Sequence, residues 1–380
     1  MKINISLRGR FHGFDLANGL YESGYLNKLF TSYPLYFFDR YSIGKEAITN
    51  APIYEILERV IQKFPALRKH SGFVSTLIPN GFDRYVAANI KSDFDIFVGW
   101  SSFSLSSLKK VRDLNRISVL ERGSTHILWQ TNQLRKEFAL FNQSFSDTHQ
   151  AIIDKELLEY DQADYICVPT NFVKSTFIEN GINSEKLFVN PYGVNPTEFK
   201  FLPQKTSKFI ILFCGGITLR KGAHYLIRAF NKLALKDAEL WFVGKVDPAF
   251  REIFSKEMDQ PNIKFKGPFP QRELSQIYNQ ANVFCLPSLE EGQAMVLHQA
   301  MRCGLPIIAT AESGASDLID GNGYLVDSRS VDSIAERIQH LFYHPSTQEQ
   351  LGARSLALSQ GKYSWKDYTD RAIKIYQSII

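Results

Sequence analysis

Residues 208–234, KFIILFCGGITLRKGAHYLIRAFNKLA, contain one strand–helix unit. The apolar run Phe209–Cys214 predicts a buried strand. Two glycines and a basic pair follow, and residues 223–234 then show the periodicity of an amphipathic helix. A strand, a polar turn and a covering helix make the unit from which parallel α/β sheets are built.

The same alternation continues in both directions along the chain. Later strands are predicted at ELWFVG, IKFKGPF, VFCLPS and PIIAT, and earlier ones at KINISL, DIFVGW, ISVLERG, YICVP and LFVNPYGV. The last stretch, SWKDYTDRAIKIYQSII, predicts a closing helix that packs back across the first domain. We therefore predict an α/β fold with two doubly wound, Rossmann-like domains facing a central cleft.

The length of 380 residues suits two domains, because single cores stop growing at about 250–300 residues. A stretch with two prolines and no periodicity, residues 195–207, marks the boundary. We predict an N-terminal domain (1–195), a linker (196–206), a C-terminal domain (207–362) and a C-terminal helix (363–380).

Composition narrows the class of protein. The chain is 44% hydrophobic and 22% charged, as in globular proteins, and its longest apolar run has six residues, too few to span a membrane. The N-terminus lacks the apolar centre of a signal peptide, and the four cysteines form no CxxC pair. We expect a cytoplasmic protein with buried, reduced thiols and no zinc site.

The positive charge is unevenly distributed. Residues 1–150 hold 19 Lys+Arg against 13 Asp+Glu, whereas the rest of the chain is nearly balanced. This excess favours an anionic membrane surface or a phosphorylated substrate as partner, or it serves solubility alone. No basic run with interleaved aromatic residues indicates nucleic-acid binding.

Two loops in the C-terminal half follow predicted strands at their carboxyl ends. In the first, Gly215 and Gly216 allow close backbone approach, and Arg220 and Lys221 precede a helix N-terminus, which suits a diphosphate. The alternative is a turn with solvated cations. The loop contains neither the Walker pattern nor GxGxxG.

The second loop carries the acidic turn Glu290–Glu291–Gly292, and Gln299 lies two helical turns after Glu291. Carboxylates at this place would accept hydrogen bonds from sugar hydroxyls. The alternative is a simple helix cap, since the helix dipole alone favours a glutamate there.

In the N-terminal half, polar residues follow two strands. Arg122, Ser124, Thr125 and His126 come after ISVL, where His126 is a candidate for proton transfer or for binding a substrate hydroxyl, or is merely structural. His12 and Gly13 follow the first strand and form a turn that admits a ligand closely. Another motif, DFD (93–95), has the form of a metal-binding DxD but precedes its strand, at the wrong end for the cleft, so we assign no metal site.

Three segments, in order, resemble glycosyltransferase family 4 and its GT-B fold over nearly the whole chain. PSLEEGQAMVLHQAMRCGLPIIATAESGASDLIDGNGYLV (287–326) is similar to the family's donor-site segment. FCGGITLRKGAHYLIRAF (213–230) is similar to its diphosphate loop. LEYDQADYICVPTNFVKSTFIENGINSEKLFVNPYGVNPTEF (158–199) is similar to its crossing between domains.

The resemblance implies a retaining hexosyltransferase that uses a nucleotide diphosphate sugar, UDP- or GDP-linked, with no obligatory cofactor or metal. By position it implies catalytic roles for His126, Glu291 and Lys221. It further implies a donor site of Gly13, Gly215, Gly216, Arg220, Lys221, Glu291, Gly292, Gln293, Ala294, Met295, Val296 and Gln299. The acceptor side would include His12, Arg122, Ser124 and Thr125.

Two positions depart from the family pattern. Gln299 replaces the second family glutamate, which usually bonds ribose hydroxyls, and Gly216 replaces an arginine. We hypothesise that Arg220 supplies that charge from the other end of the loop.

The resemblance implies a glycosyltransferase that acts on a saccharide or glycolipid acceptor in cell-surface polysaccharide biosynthesis, and the positive charge of the first 150 residues favours peripheral association at the inner face of the membrane. Two alternatives remain open: a non-catalytic relative that binds sugar nucleotides, and a GT-B sugar-nucleotide epimerase.

Overall fold

Two parallel β-sheets organise the chain. The computed structural model of the protein describes residues 1–9, 12–63, 71–145, 148–202 and 206–380. The first sheet contains β1 (Ile3–Leu7), β2 (Leu26–Thr31), β3 (Ile48–Asn50), β4 (Ile96–Trp100), β5 (Ile117–Glu121), β6 (Tyr165–Val168) and β7 (Leu187–Val189). The second contains β8 (Phe209–Cys214), β9 (Ala238–Val243), β10 (Ile263–Gly267), β11 (Val283–Leu286), β12 (Ile307–Ala309) and β13 (Gly323–Leu325).

Both sheets share one strand order. The first runs β3-β2-β1-β4-β5-β6-β7 and the second β10-β9-β8-β11-β12-β13, with every pair parallel. In each sheet the order reverses beside the first strand, between β1 and β4 and between β8 and β11. Loops leave such a point in opposite directions and open a crevice there, which is where open α/β sheets bind ligands.

Helices cover both faces of each sheet. Those of the first half are α1 (Gly13–Glu22), α2 (Ile53–Lys63), α3 (Ser71–Asn89), α4 (Leu105–Asp113), α5 (Ile127–Leu140), α6 (Gln150–Gln162) and α7 (Asn171–Glu179). Those of the second half are α8 (Ala223–Leu233), α9 (Pro248–Met258), α10 (Gln271–Tyr278), α11 (Met295–Arg302), α12 (Val331–Tyr343), α13 (Pro345–Lys362) and α14 (Trp365–Ser378). The predicted fold class, two doubly wound domains facing a cleft, is confirmed.

The last helix, α14, returns to the first domain. Its buried side chains Tyr368, Ala372 and Tyr376 belong to the same core cluster as the buried face of α1. The contact is close, since a Cβ at Gly19 would lie 2.3 Å from Thr369 Oγ1. Residues at the end of the chain therefore complete the core of its first domain.

Helix α5 was not predicted, and it lies between the domains. The polar stretch after β5 ends at His126, and the helix begins at the next residue. Its buried positions include Thr131 and Glu137, so the core-facing side is too polar to show apolar periodicity. Its Phe138 and Phe141 pack against the core of the second domain.

The sequence pattern also failed to predict several other helices and strands. β2, β3, β13, α2, α3 and α13 were not predicted, and the strand expected at 187–194 is only Leu187–Val189, since Pro191 follows shortly after it. Within the predicted linker, residues 203–205 lie outside the described residues.

Two further observations concern composition. All four cysteines are buried and unpaired. Among the described residues, no helix combines the length and the apolar character needed to cross a membrane.

A buried histidine on α11 makes stability depend on pH. The His298 side chain is fully buried, and neither ring nitrogen has a hydrogen-bond partner among the described residues. Burial, assisted by the charge of Arg371, lowers the pKa of His298 from 6.5 to about 3. Between pH 6.5 and about pH 3 the unfolded chain therefore binds a proton at His298 and the folded chain does not. Lowering the pH through this range thus lowers the free energy of unfolding.

We predict that this histidine alone costs about 2 kcal/mol of stability on going from pH 7 to pH 5. His298→Leu should flatten the pH dependence of urea unfolding by that amount and leave stability at pH 7 equal or higher, because no hydrogen bond is removed. The exposed His344, changed to Gln, is the control. Equal pH dependence in the wild type and His298→Leu would contradict the assignment.

Candidate functional site

A cleft of about 970 Å³ lies between the two domains. Its lining from the first domain includes residues after β1, β4 and β5, and its lining from the second includes α10 and the start of α11. The residues are His12, Asp15, Arg40, Tyr41, Trp100, Ser101, Ser102, Phe103, Arg122, Gly123, Ser124, Tyr192, Val194, Asn195, Glu198, Phe199, Gln271, Met295, Gln299 and Trp365. The cleft is thus lined by loops at the reversal point of the first sheet and, from the second domain, by α10 and by α11, the helix that follows β11.

The basic loop after β8 and the acidic loop after β11 meet. Lys221 Nζ forms an ion pair with Glu291, and Arg220 Nη1 lies 3.3 Å from the same carboxylate oxygen. Burial alone would raise the pKa of Glu291, but Lys221 and Arg220 outweigh it and hold that pKa below its usual value. Lys221, Arg220 and Glu291 therefore form a compact group of paired charges at the meeting point of the two loops.

Glycines allow these loops to approach each other. Gly222 has a positive φ of 66°, and a Cβ there would lie 1.9 Å from the carbonyl oxygen of Pro287. Gly215, with a φ of 134°, and Gly216 leave open space in front of the basic pair, since the nearest described atom to a Cβ at Gly215 is Lys221 Cε, at 3.9 Å. A carbon atom added at either glycine would therefore make only an ordinary van der Waals contact with the loop.

Glu290 points in a different direction from its neighbour. Its fully buried carboxylate accepts hydrogen bonds from the first domain: from Ser124 Oγ, from Thr125 Oγ1 at 2.7 Å and from Gln130 Nε2 at 3.3 Å. It also faces Arg220 Nη1 at 3.3 Å. From the sequence, the two glutamates formed one acidic turn. In the structure Glu291 contacts only the basic pair among these groups, whereas Glu290 contacts both Arg220 and the first domain.

The segment between Glu291 and α11 is held from both domains. A Cβ at Gly292 would lie 1.9 Å from the carbonyl oxygen of Gly123, so the two backbones touch across the cleft. Gln293 Oε1 accepts from the backbone of Tyr192 at 2.6 Å. The amide of Ala294 donates to the carbonyl of Ser313 at 3.0 Å, so it is not available to a ligand.

On α11, Met295 and Gln299 reach the cleft, whereas Val296 turns its carbonyl toward the Tyr278 hydroxyl at 3.5 Å. Gln299 Oε1 accepts from the same hydroxyl at 3.0 Å. Tyr278 thereby orients the amide that replaces the expected carboxylate.

Gly13 is buried beneath an aromatic ring. A Cβ at this position would lie 2.7 Å from Trp100 Cζ2 and 2.9 Å from Leu7 Cδ1. The packing of Trp100 explains the glycine, and Gly13 itself does not line the cleft among the described residues.

His126 lies outside the cleft lining. Its side chain is 1% exposed, its Nδ1 accepts from the amide of Leu128 at 3.3 Å, and its ring packs against Tyr160 and Phe177. Burial, with the charge of Arg122, lowers the pKa of His126 to about 4. This arrangement caps α5 and opposes the predicted role in proton transfer.

Among the described residues, the histidine that lines the cleft is His12. It is surrounded by the rings of Trp100, Tyr192 and Trp365, with centroids 5.7, 4.2 and 6.5 Å away. Its Nε2 lies 3.9 Å from Glu121 Oε2, a buried carboxylate that the sequence analysis did not single out.

Arg122 has a structural place in the wall of the cleft. It donates to the carbonyl of Thr125 through Nε at 3.1 Å and Nη2 at 3.0 Å. It also donates to Gln130 Oε1 at 2.8 Å and to Glu156 at 2.9 Å. The loop that carries Ser124 and Thr125 is thereby fixed from behind.

Several cleft residues had no signal in the sequence. Trp365 is distant in sequence from the other wall residues, and Arg40 and Tyr41 lie in a segment for which no element was predicted. Asp15 lies on α1, and burial, despite His12 and Arg40, raises the pKa of its carboxyl group to about 6. In the sequence, the one indication that Asp15 lies at the cleft is its place near the start of the predicted helix that follows the first strand.

No group of three or more His, Cys, Asp or Glu side chains within the described residues is arranged to hold a metal ion. Asp95, from the DFD motif, instead accepts from the backbone of Lys2 at 2.7 Å at the start of β4.

Residues 208–344 match the protein family described as glycosyl transferases group 1. The curated relatives include a probable sucrose-phosphate synthase of Thermosipho melanesiensis, 24% identical over 89% of this chain and 77% of its own. They also include a GDP-mannose-dependent phosphatidylinositol monomannoside mannosyltransferase of Corynebacterium glutamicum, 28% identical over 42% of this chain and 44% of its own. The chain thus spans less than half of that second relative's length.

Solved structures share the fold over the full length. Anabaena HepE in complex with UDP superposes with a TM-score of 0.72 at 14% identity, covering 100% of both chains. The sucrose-phosphate synthase of Thermosynechococcus elongatus gives 0.68 at 18% identity, covering 100% of this chain and 99% of that one. The architecture is therefore that of GT-B glycosyltransferases.

The two histidines give opposite predictions. His12→Ala should lower the rate of sugar transfer about tenfold or more, because a polar group of the cleft wall is removed. His126→Asn keeps a good helix cap and should leave the rate nearly unchanged. Initial rates and thermal midpoints of both variants test this, and a large loss of rate in His126→Asn at unchanged stability would restore the role expected from the sequence.

Proposed function

We propose that this chain, a glycosyltransferase of the group 1 type, transfers a hexose from a nucleotide diphosphate sugar to a saccharide or glycolipid acceptor in cell-surface polysaccharide biosynthesis. The observation that carries the proposal is the group of Lys221, Arg220 and Glu291, formed where the loops after β8 and β11 meet. In this group, two cations that would bind the diphosphate lie next to a carboxylate that would bind the sugar. A GT-B fold and a group 1 family match over 208–344 support it.

On the donor side, Lys221 and Arg220 would hold the diphosphate just before the N-terminus of α8. Negative charge grows on the diphosphate as the glycosidic bond breaks, so cations fixed at this point stabilise the transition state more than the ground state. In the structure Glu291 already holds both cations in place, and they need little rearrangement when a donor arrives. Glu291 would share its second oxygen with hydroxyls of the donor sugar.

The nucleoside would extend toward Gln299. Because its carbonyl accepts from Tyr278, the amide nitrogen is the group best placed to bond a ribose oxygen. UDP and GDP donors both remain candidates: HepE is described in complex with UDP, and the Corynebacterium relative is described as GDP-mannose-dependent. By family resemblance we infer retention of the anomeric configuration, which NMR of the product anomeric proton tests directly.

On the acceptor side, the cleft combines aromatic rings with hydrogen-bonding groups. Trp100, Phe103 and Trp365 supply apolar faces, and Asp15 and Glu198 supply carboxylates. Flat rings beside hydroxyl acceptors suit the two faces of a sugar ring. The acceptor we propose is therefore a saccharide, either free or as the head of a glycolipid.

A non-catalytic sugar-nucleotide-binding role is the second candidate, favoured by Gln299 and Gly216 in place of charged family residues. Thermal-shift measurements with UDP, GDP, ADP and their sugars identify the base, because a bound ligand raises stability by mass action. Product formation then separates transfer from binding.

We predict that Lys221→Ala lowers the transfer rate about ten- to hundredfold, because the variant can no longer donate a charge-assisted hydrogen bond to the diphosphate in the transition state. Lys232→Ala, on the surface of the same domain, is the matched control and should retain the wild-type rate. Initial rates at saturating donor provide the measurement. A wild-type rate in Lys221→Ala would refute the assignment of the diphosphate site.

Helix α2 is the surface that we propose for peripheral membrane association. Its apolar side chains Ile53, Ile56, Leu57 and Val60 follow helical spacing and are 42% to 55% exposed. The opposite face is anchored, since Tyr54 contacts Phe82 with ring centroids 5.9 Å apart. An exposed apolar stripe on a domain with an excess of positive charge suits an anionic lipid surface.

We predict that the wild type co-sediments with vesicles containing phosphatidylglycerol and binds less to pure phosphatidylcholine. Leu57→Glu should abolish this binding, because a carboxylate in the stripe opposes both apolar insertion and anionic lipid. Leu158→Glu, at an equally exposed leucine of α6, is the control. Binding of Leu57→Glu at the wild-type level would show that α2 is not the contact surface.

A further inference from the structure

Glu290 connects the two sides of the cleft through one buried carboxylate. Oε1 accepts from Ser124 and Thr125 of the first domain, and Oε2 faces Gln130 and Arg220. The side chain is fully buried. A charge in such surroundings is tolerated only with several donors around it, and here the donors come from both domains.

The partners from the first domain are themselves immobilised. Arg122 binds the carbonyl of Thr125 through two nitrogens and Gln130 through its side-chain oxygen at 2.8 Å. Arg122 is held in turn by the buried Glu156. The carboxylate of Glu290 therefore rests on a rigid support.

The partner from the second domain is a residue of the proposed diphosphate site. Arg220 Nη1 donates to the backbone carbonyl of Glu290 at 3.1 Å and lies 3.3 Å from its carboxylate. The carbonyl of Arg220 accepts from the amide of Leu289 at 2.8 Å. Both ends of Arg220 are thus tied to the chain around Glu290.

We propose that Glu290 is a positioning residue: it fixes Arg220 against the loop 122–126, so that the proposed donor diphosphate and the acceptor wall form one preorganised unit. The inference rests on the function proposed above. It gives Glu290 a role that differs from that of Glu291, which would touch the donor sugar.

A second buried glutamate between the domains supplies a control. Glu137 on α5 accepts from Tyr225 at 3.0 Å and from Arg329 at 2.8 Å, and its Oε1 lies 2.9 Å from His224 Nε2. These residues are not part of the described cleft lining. If Glu290 only held the two domains together, replacing Glu290 or Glu137 would change stability, nucleotide binding and the transfer rate in the same way.

The experiment compares Glu290→Gln with Glu137→Gln in the full chain. Glu290→Gln keeps the size of the side chain but removes the negative charge that faces Arg220 Nη1, so the guanidinium is held less firmly against the loop 122–126. Binding of UDP and GDP is measured by calorimetry, transfer by kcat and KM, and stability by the thermal midpoint. We expect both variants to lose stability. Only Glu290→Gln should weaken nucleoside diphosphate binding and lower kcat/KM by about tenfold or more, while Glu137→Gln stays within about twofold.

A double-mutant cycle with Arg220→Gln tests the route of the effect. If Glu290 acts through Arg220, the double variant binds the nucleoside diphosphate no more weakly than Arg220→Gln alone. Additive losses, or equal kinetic effects of Glu290→Gln and Glu137→Gln, would overturn the proposal.

Should Glu290→Gln fail to fold, Thr125→Val removes one hydrogen bond to Glu290 from the acceptor side. It should lower kcat about fivefold at unchanged affinity for UDP or GDP, and an unchanged kcat would overturn the coupling. A wild type that binds neither UDP, GDP nor ADP overturns the proposed function and this inference together. A wild type that binds, with variants that do not differ, overturns the inference alone.

Discussion

Buried carboxylates at the domain junction are the constraint on which the site depends. Glu290 and Glu137 are wholly inside the protein, and each is compensated by donors that the other domain provides. Separating the domains would leave these charges without their partners, which is far more costly than losing a surface ion pair. Hydrogen bonds and ion pairs to these buried carboxylates therefore fix the two domains relative to each other. They thereby fix the relative positions of the residues that line the cleft from either side.

The strand order explains why the polar loops belong together at all. In both sheets the order reverses beside the first strand, and the loops after β1, β4, β8 and β11 leave at that point. Arg220 follows β8 and Glu290 follows β11, so the fold brings them together although 70 residues separate them. The basic and acidic loops therefore meet because β8 and β11 are neighbours in the second sheet and end at the same edge.

The sequence was informative where one rule of local structure decided the outcome. Lys221 and Glu291 follow apolar strands, and strand ends in a parallel sheet meet at one edge, so their proximity was predictable. Glu290 and Glu291 are identical neighbours, and no spacing rule says which side each takes. His126 begins a helix that its polar buried side concealed, and His12 owes its place in the cleft to rings that come from β4, residue 192 and α14. Such relations depend on tertiary packing.

The return of α14 to the first domain has a consequence for synthesis. Tyr368, Ala372 and Tyr376 fill the core beside α1, yet they are made after the whole second domain. Domains generally fold in order from the N-terminus during translation. Here, part of the apolar surface of the first domain stays uncovered until some 170 further residues, and then α14, have been synthesised. The second domain takes its strands and buried core from residues 194–363, with Phe138 and Phe141 of α5 packed against that core, so it is able to finish folding before α14 is made.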